Sequence, residues 1–186
     1  QQEDLKIIDG RPLAKGKVLS VKDNTDRWFE FSNQNEYSLS DFDVILMRKD
    51  PPFNMEYIYS TYILDLAKNS GVKVINDPSA LRNFNEKVSI SLFPSLTPKT
   101  LVTSSLNEIK AFLDAEEKIV VKPLDGMGGK SVFVVDKNDR NAHSIFETIT
   151  NLGTTTIMAQ VYVPEIEHGD KRIHIVYGQH CNTALA

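Results

Sequence analysis

The sequence predicts an α/β protein with an α+β module at its centre, and three observations predict it. Residues 39–47 (LSDFDVILM) end in a continuous apolar run of the kind buried on both faces of a parallel sheet. Residues 55–66 then repeat apolar side chains at spacings of three and four, and VKVIN at 72–76 follows, so strand, helix and strand form a βαβ unit. Farther on, three glycines stand between two β-branched runs, IVVKPL and SVFVV, which marks a strand–turn–strand module of another type.

The run at 44–47 opens into RKDPPF, where Pro51 and Pro52 block continuation of helix or sheet and Asn54 is placed to cap the next helix. Met55, Ile58, Tyr59, Tyr62, Ile63 and Leu66 form the apolar side of that helix, which Gly71 ends at a C-cap position. Asn76, Asp77 and Pro78 close the second strand. From Ser79 the pattern changes to short helical stretches broken at Pro94 and Pro98, then to a strand TLVT at 100–103. Ser105 with Glu108 three residues on has the capping-box pattern and starts a helix through Ala115. Strands KIVVKPL, SVFVVD and TTIMAQVYV follow, with a helix over 143–151 between the last two. A final strand at 171–178 turns at Gly178 and Gln179 into another, and no internal repeat or low-complexity tract is present.

Composition narrows the function classes. At 186 residues, 41% hydrophobic and 25% charged, the chain has the make-up of a folded globular protein of one or two domains. Its 21 basic and 25 acidic residues leave a formal charge of −4, which gives no overall attraction for nucleic acid or an anionic membrane. Its uninterrupted apolar runs, VILM and VFVV among the longest, fall far short of the ~20 residues a membrane helix needs. The opening QQEDLKIIDG has no basic start followed by an apolar block, so no signal peptide is expected. The single cysteine, Cys181, fits a reducing compartment and a cytoplasmic location. Because the sequence opens without Met and stops at NTALA within an expected strand, a piece of a longer protein is expected.

The chemistry concentrates in residues 119–135. An apolar strand carries Lys122 inward, and Gly126, Gly128 and Gly129 follow within four residues. Clustered glycines permit positive φ and let successive N–H groups point at one anion, while Lys122 adds a fixed positive charge beside them. A Walker A loop is excluded, because Leu124 stands where its first glycine belongs and VFVV reads as a strand where a helix should start. A dinucleotide fingerprint fails too, since Ser131 occupies its third glycine position and again no helix follows. A plain hairpin with a flexible turn stays open on spacing alone. Arg48 and Lys49 stand at the carboxyl end of a parallel strand, where α/β sheets place ligands. Lys87, Asp170, Lys171 and Arg172 each also read as ordinary solvated charges, and Tyr57, Tyr59 and Tyr62 as core and rim of a helix. His168, His174 and His180, six apart, suit no usual zinc spacing, and Cys181 reads as a small buried residue and not as a nucleophile.

KPLDGMGG between two strands, NEK at 85–87, MAQVYVPEI at 158–166 and GDKR at 169–172 together resemble the ATP-grasp superfamily, and within it the prokaryotic glutathione synthetase family. ILMRKDPPF at 45–53 resembles that family's substrate-domain motif. The likeness runs from Leu39 to Ala186, and residues 1–38 are compatible with the family's hairpin region. It implies a partial ATP-grasp fold: an α/β substrate domain over 1–82, a central lid domain with the glycine-rich hairpin over 83–164, and the start of a C-terminal module over 165–186.

By the same resemblance, Lys87 and Lys122 touch the ATP phosphates, and Gly126, Met127, Gly128 and Gly129 form the loop over them. The backbone of Gln160, Val161, Tyr162 and Val163 hydrogen-bonds the adenine edge, and Asp170 sits near the ribose. Arg48, Lys49, Lys171 and Arg172 bind substrate, with Lys122 and Arg172 as the catalytic cations. The implied reaction is ATP-dependent ligation of γ-glutamylcysteine and glycine through an acyl phosphate, by a homotetramer using Mg²⁺. The family draws its metal ligands from the last part of its chain, and no Asp or Glu follows Asp170 here. The metal ligands are therefore expected beyond Ala186, none within these residues, and these residues alone are expected to be inactive. Another carboxylate–amine ligase of the superfamily and a non-catalytic ATP-binding module are the rival readings.

Overall fold

The computed structural model describes residues 2–49, 52–126, 128–171, 173–176 and 178–180. The chain divides into two compact units, residues 1–89 with 125–130, and residues 90–124 with 131–186.

In the first unit β1 (Leu5–Ile8) and β2 (Arg11–Gly16) form an antiparallel hairpin. Its turn is Asp9–Gly10, with φ of 50° and 74°, the left-handed pair a two-residue hairpin turn requires. After the hairpin β3 (Leu19–Val21) and β4 (Phe29–Phe31), β5 (Asn35–Ser38) completes a three-stranded sheet in the order β1-β2-β5. The expected strand over 39–47 shrinks to β6 (Val44–Leu46), because Leu39–Asp41 is a 3₁₀ turn capped by the Ser38 hydroxyl. Strand β6 pairs in parallel with β7 (Lys73–Ile75), as the βαβ reading requires. Burial on both faces does not hold, since Val44 and Leu46 are exposed and only the face bearing Ile45 packs inward.

Between them α1 (Met55–Asn69) starts where Asn54 accepts from the Tyr57 N–H at 3.0 Å and is followed by Gly71 at φ +99°. Its buried side differs from the expected one. Tyr57, Ser60, Thr61, Leu64 and Ala67 face the core, whereas Met55, Tyr59 and Tyr62 are exposed. The Ser60 and Thr61 hydroxyls donate to the Glu56 and Ile58 carbonyls of their own helix, which removes the cost of burying them. Arg82 of α2 (Pro78–Asn83) donates to Thr61 at 2.8 Å and pairs with Asp65 at 2.6 Å, while its guanidinium covers the Tyr62 ring.

In the second unit β8 (Thr100–Thr103), β9 (Lys118–Pro123), β10 (Phe133–Asp136) and β11 (Ile157–Val161) form an antiparallel sheet in the order β10-β9-β11-β8. Helices α3 (Leu106–Glu116) and α4 (Ala142–Ile149) supply Ile109, Leu113 and Phe146 to a core with Ile119, Val121, Val135, Ile157 and Ala159. The capping box at α3 is relayed. Ser105 accepts from the Glu108 N–H, while the Glu108 carboxylate accepts from Thr103, whose hydroxyl in turn accepts from the Ser105 N–H. The expected strand over 171–178 reduces to a short ladder of β12 (Ile175–Val176) with β13 (Gln179–His180) about Gly178, at φ +77°. Among the described residues no helix is long and apolar enough to cross a membrane.

Candidate functional site

Period-two alternation decides what β9 presents on each side. Ile119 and Val121 enter the helix-covered core, so Val120 and Lys122 must face the other way. Lys122 therefore points not inward but toward a cleft of about 270 Å³. Pro98, Val120, Val132, Val134 and Ile166 give the cleft an apolar lining, to which Lys122 and Gln160 add polar side chains. The Lys122 ammonium donates to Gln160 Oε1 at 2.5 Å, and Gln160 Nε2 donates to Thr100 Oγ1 at 2.8 Å. The Thr100 hydroxyl donates in turn to the Pro98 carbonyl at 2.8 Å, so the three side chains form one hydrogen-bonded relay ending on the backbone. The sequence reading missed the Gln160 side chain and Thr100. A polar residue within the apolar run IMAQV was the available signal.

The same cleft contains Val161, Tyr162 and Val163. The Val161 N–H goes to the Lys99 carbonyl at 3.1 Å and the Tyr162 N–H to the Lys118 carbonyl at 3.1 Å, so neither is available to a ligand. Among the described residues the Val163 N–H has no acceptor, which narrows the expected four-residue hinge to one free amide. Tyr162 is held from both ends, with the Lys118 ammonium 4.4 Å from its ring centroid and its hydroxyl donating to Glu167 at 3.2 Å. Desolvation first, and then the Glu167 charge and hydrogen bond, push its phenol above the ordinary value. An apolar slot of this size lined by a free amide and an ammonium suits a planar heterocycle carrying an anionic tail.

In the first unit Lys87 is partly buried, its side chain 16% exposed. Asn85 accepts from the Lys87 and Val88 N–H groups and so turns the chain, and the Lys87 ammonium donates to the Gly126 carbonyl of the glycine loop. Lys87 and the loop, which the sequence reading assigned to one ligand, are thus in contact. Within the loop Gly128 and Gly129 take positive φ, 65° and 73°, and so does Ser131 at 58°. Met127, Arg172 and Cys181 lie outside the described residues.

Arg48 and Lys49 line a second cleft of about 470 Å³, with Ile45, Leu46, Met47, Ser60 and Leu64. The Asn76 side chain donates to the Met47 carbonyl at 2.9 Å and the Met47 N–H donates to Ile75, which pins the chain just before Arg48. Asp170 and Lys171 are exposed and line neither cleft. Among the described residues no three His, Cys, Asp or Glu side chains are grouped to hold a metal ion. Ala186, beyond which the sequence reading places the metal ligands, itself lies outside the described residues.

The architecture is shared with solved ligases. D-cycloserine synthetase DcsG superposes with a TM-score of 0.62 at 19% identity, over 77% of this chain and 52% of its own. D-alanyl-alanine synthetase A from Vibrio cholerae gives 0.55 at 13% identity, over 95% of this chain and 54% of its own. Together with the glycine-loop hairpin and its lysine, this is the ATP-grasp fold.

The chain belongs to the prokaryotic glutathione synthetase family: residues 1–82 match the model of its N-terminal domain and residues 86–186 that of its ATP-grasp domain. All 186 residues align at 47% identity with the glutathione synthetase of Salmonella typhimurium and at 46% with that of Vibrio parahaemolyticus. The chain spans 59% of the length of each of these relatives.

Proposed function

We propose that the complete protein is an ATP-dependent ligase that joins γ-glutamylcysteine to glycine, forming glutathione with release of ADP and phosphate. The observation that carries this reading is the cleft in which Lys122, anchored through Gln160 and Thr100, and the Val163 amide line an apolar slot. Adenine fills the slot with its edge on Val163, and Lys122 meets the phosphates. Lys87 and the N–H groups of the Gly126–Gly129 loop neutralise the remaining phosphate charge. Arg48 and Lys49 hold the dipeptide carboxylates, and Lys171 and Arg172 add positive charge.

The dipeptide carboxylate attacks the γ-phosphorus and ADP departs, leaving an acyl phosphate. The glycine amine adds to its carbonyl carbon, and the tetrahedral adduct expels phosphate as the amine proton passes to water. Catalysis of this kind is positioning and charge neutralisation, and it needs no protein nucleophile. Mg²⁺ supplies part of that neutralisation in such reactions, and among the described residues no three His, Cys, Asp or Glu side chains are grouped to hold it. We further assign the protein to the cytoplasm as a homotetramer, with domains over 1–82, 83–164 and 165–186; the separate family matches to residues 1–82 and 86–186 support the first of these boundaries.

The test is ADP release by the complete gene product with ATP and Mg²⁺, comparing both substrates with either omitted. Release that requires γ-glutamylcysteine and glycine together is the expected result. ATP binding without substrate-dependent release would replace the ligase reading with that of a nucleotide-binding module. Turnover with a different carboxylate and amine would make it another ligase of the fold.

A further inference from the structure

The 3₁₀ turn Pro164–His168 brings Ile166 into the lining of the cleft, yet little within the turn fixes it there. No side chain caps it at Val163, and its backbone bonds, from the Ile166 N–H to the Val163 carbonyl and from the Gly169 N–H to the Ile166 carbonyl, close only on itself. Its residues are exposed, Ile166 by 54%. Among the described residues a single side-chain hydrogen bond reaches back from the turn, the one that the Tyr162 hydroxyl donates to Glu167 Oε1 at 3.2 Å.

Tyr162 is itself attached to the sheet twice. Its N–H donates to the Lys118 carbonyl of β9 at 3.1 Å, and the Lys118 ammonium lies 4.4 Å from its ring centroid, a cation against a π face. Lys118 in turn stands 3.9 Å from Asp136 of β10. A row of side chains, Asp136, Lys118, Tyr162 and Glu167, thus runs from the sheet to the turn. Glu167 is not among the residues that line the cleft, whereas Tyr162, Val163 and Ile166 all line it.

We infer that Glu167 is a positioning residue for the nucleotide base: by accepting from Tyr162 it holds the turn in the arrangement that keeps Ile166 in the lining of the slot and the Val163 N–H free beside it. This rests on the reading of the slot as the ATP site. A carboxylate near a polyphosphate weakens binding by its charge, whereas a fixed turn strengthens it, so the two effects have opposite signs and can be told apart.

The test is ATP binding by the complete gene product, by titration calorimetry alongside steady-state kinetics. The variants are Glu167→Ala, Glu167→Gln, Tyr162→Phe, the double variant Tyr162→Phe/Glu167→Ala, and Glu165→Ala as control. Glu165 is an exposed carboxylate of the same turn that makes no hydrogen bond or ion pair among the described residues. Glu167→Ala and Tyr162→Phe should each raise the Kd and KM for ATP about three- to tenfold, the worth of one such bond, and leave kcat and KM for the carboxylate substrate unchanged. The double variant should be no worse than either single one, because both remove the same contact. Glu167→Gln keeps an acceptor oxygen and should bind as the wild type does, as should Glu165→Ala. Unchanged ATP affinity in Glu167→Ala overturns the inference, as does tighter binding shared by Glu167→Ala and Glu167→Gln, or additive losses in the double variant. A wild type that binds no ATP in the same titration refutes the nucleotide reading itself, and with it this inference. Normal wild-type binding with unaffected variants refutes this inference alone.

Discussion

Strands β9 and β6 both end in cations aimed at a cleft, yet they hold them in different ways. Strand β9 lies inside a four-stranded sheet with Ile119 and Val121 sealed in the core, and its Lys122 is tied through Gln160 and Thr100 to the Pro98 carbonyl. Strand β6 has three residues, one parallel neighbour and exposed Val44 and Leu46. Its Arg48 and Lys49 are exposed and make no hydrogen bond or ion pair among the described residues. A cation built into a sheet face is preorganised for a charge that develops during reaction. One at a strand end, positioned by the backbone bonds of Met47 to Asn76 and Ile75 behind it, can adapt to a bound carboxylate.

The largest effect that would break this contrast is on stability. Phe146→Ala removes a ring 2% exposed in the core of the second unit and should cost ~3–5 kcal/mol, while Val44→Ala on the open face of β6 should cost less than ~0.5 kcal/mol. Urea midpoints of the complete protein report both, and equal losses would mean that the open face is covered. Catalysis comes next. Lys122→Ala should lower kcat by about 10²- to 10³-fold with little change in fold. Arg48→Ala should instead raise KM for the carboxylate substrate by about ten- to a hundredfold, the worth of a hydrogen bond to a charged group. Steady-state kinetics distinguish the two, and a kcat effect from Arg48→Ala would erase the distinction.

Smaller still is Thr100→Val, which takes the acceptor from Gln160 Nε2. It should destabilise by about 1 kcal/mol and raise KM for ATP while sparing KM for the dipeptide, because Lys122 then loses its fixed orientation. The smallest effect is a pH dependence in the first unit. Asp77 caps α2 and pairs with Lys68, and Lys68, the Ser79 hydroxyl and the Ala80 N–H hold its carboxyl well below the usual carboxylate range. A carboxyl lowered in the folded state stabilises above its unfolded value, and that contribution is lost as pH falls toward the folded value. Stability of the wild type should therefore decline from about pH 4 downward more steeply than that of Asp77→Asn, which keeps the cap but cannot titrate. Thermal melts between pH 5 and 2 show whether the two curves diverge.

Much of the fold was legible locally. Asn54 as cap, TLVT as a strand, Ser105 as the start of α3 and the strand after the glycines all depend on neighbours a few residues away, and the structure has each of them. The Asp9–Gly10 turn carried an equally local hairpin signal that the reading left unused. The buried side of α1 was not legible, because apolar spacing points to Met55, Tyr59 and Tyr62. The helix instead turns Ser60 and Thr61 inward, their hydroxyls satisfied by its own carbonyls. In the site, Lys122 stood out as a charge in an apolar strand, while its partners Gln160 and Thr100 come from strands 38 and 22 residues away.

The sequence by itself determined the elements, their caps and turns, and which strand carries the cleft lysine, because backbone sterics and side-chain alternation act over a few residues. Tertiary structure alone decided that β11 lies between β9 and β8 in the register that sets Met158 opposite Lys122 and Gln160 opposite Thr100. Strand order and register are set by which faces must be buried together across long stretches of chain. A one-residue slip would have turned Gln160 into the core and left Lys122 without its anchor.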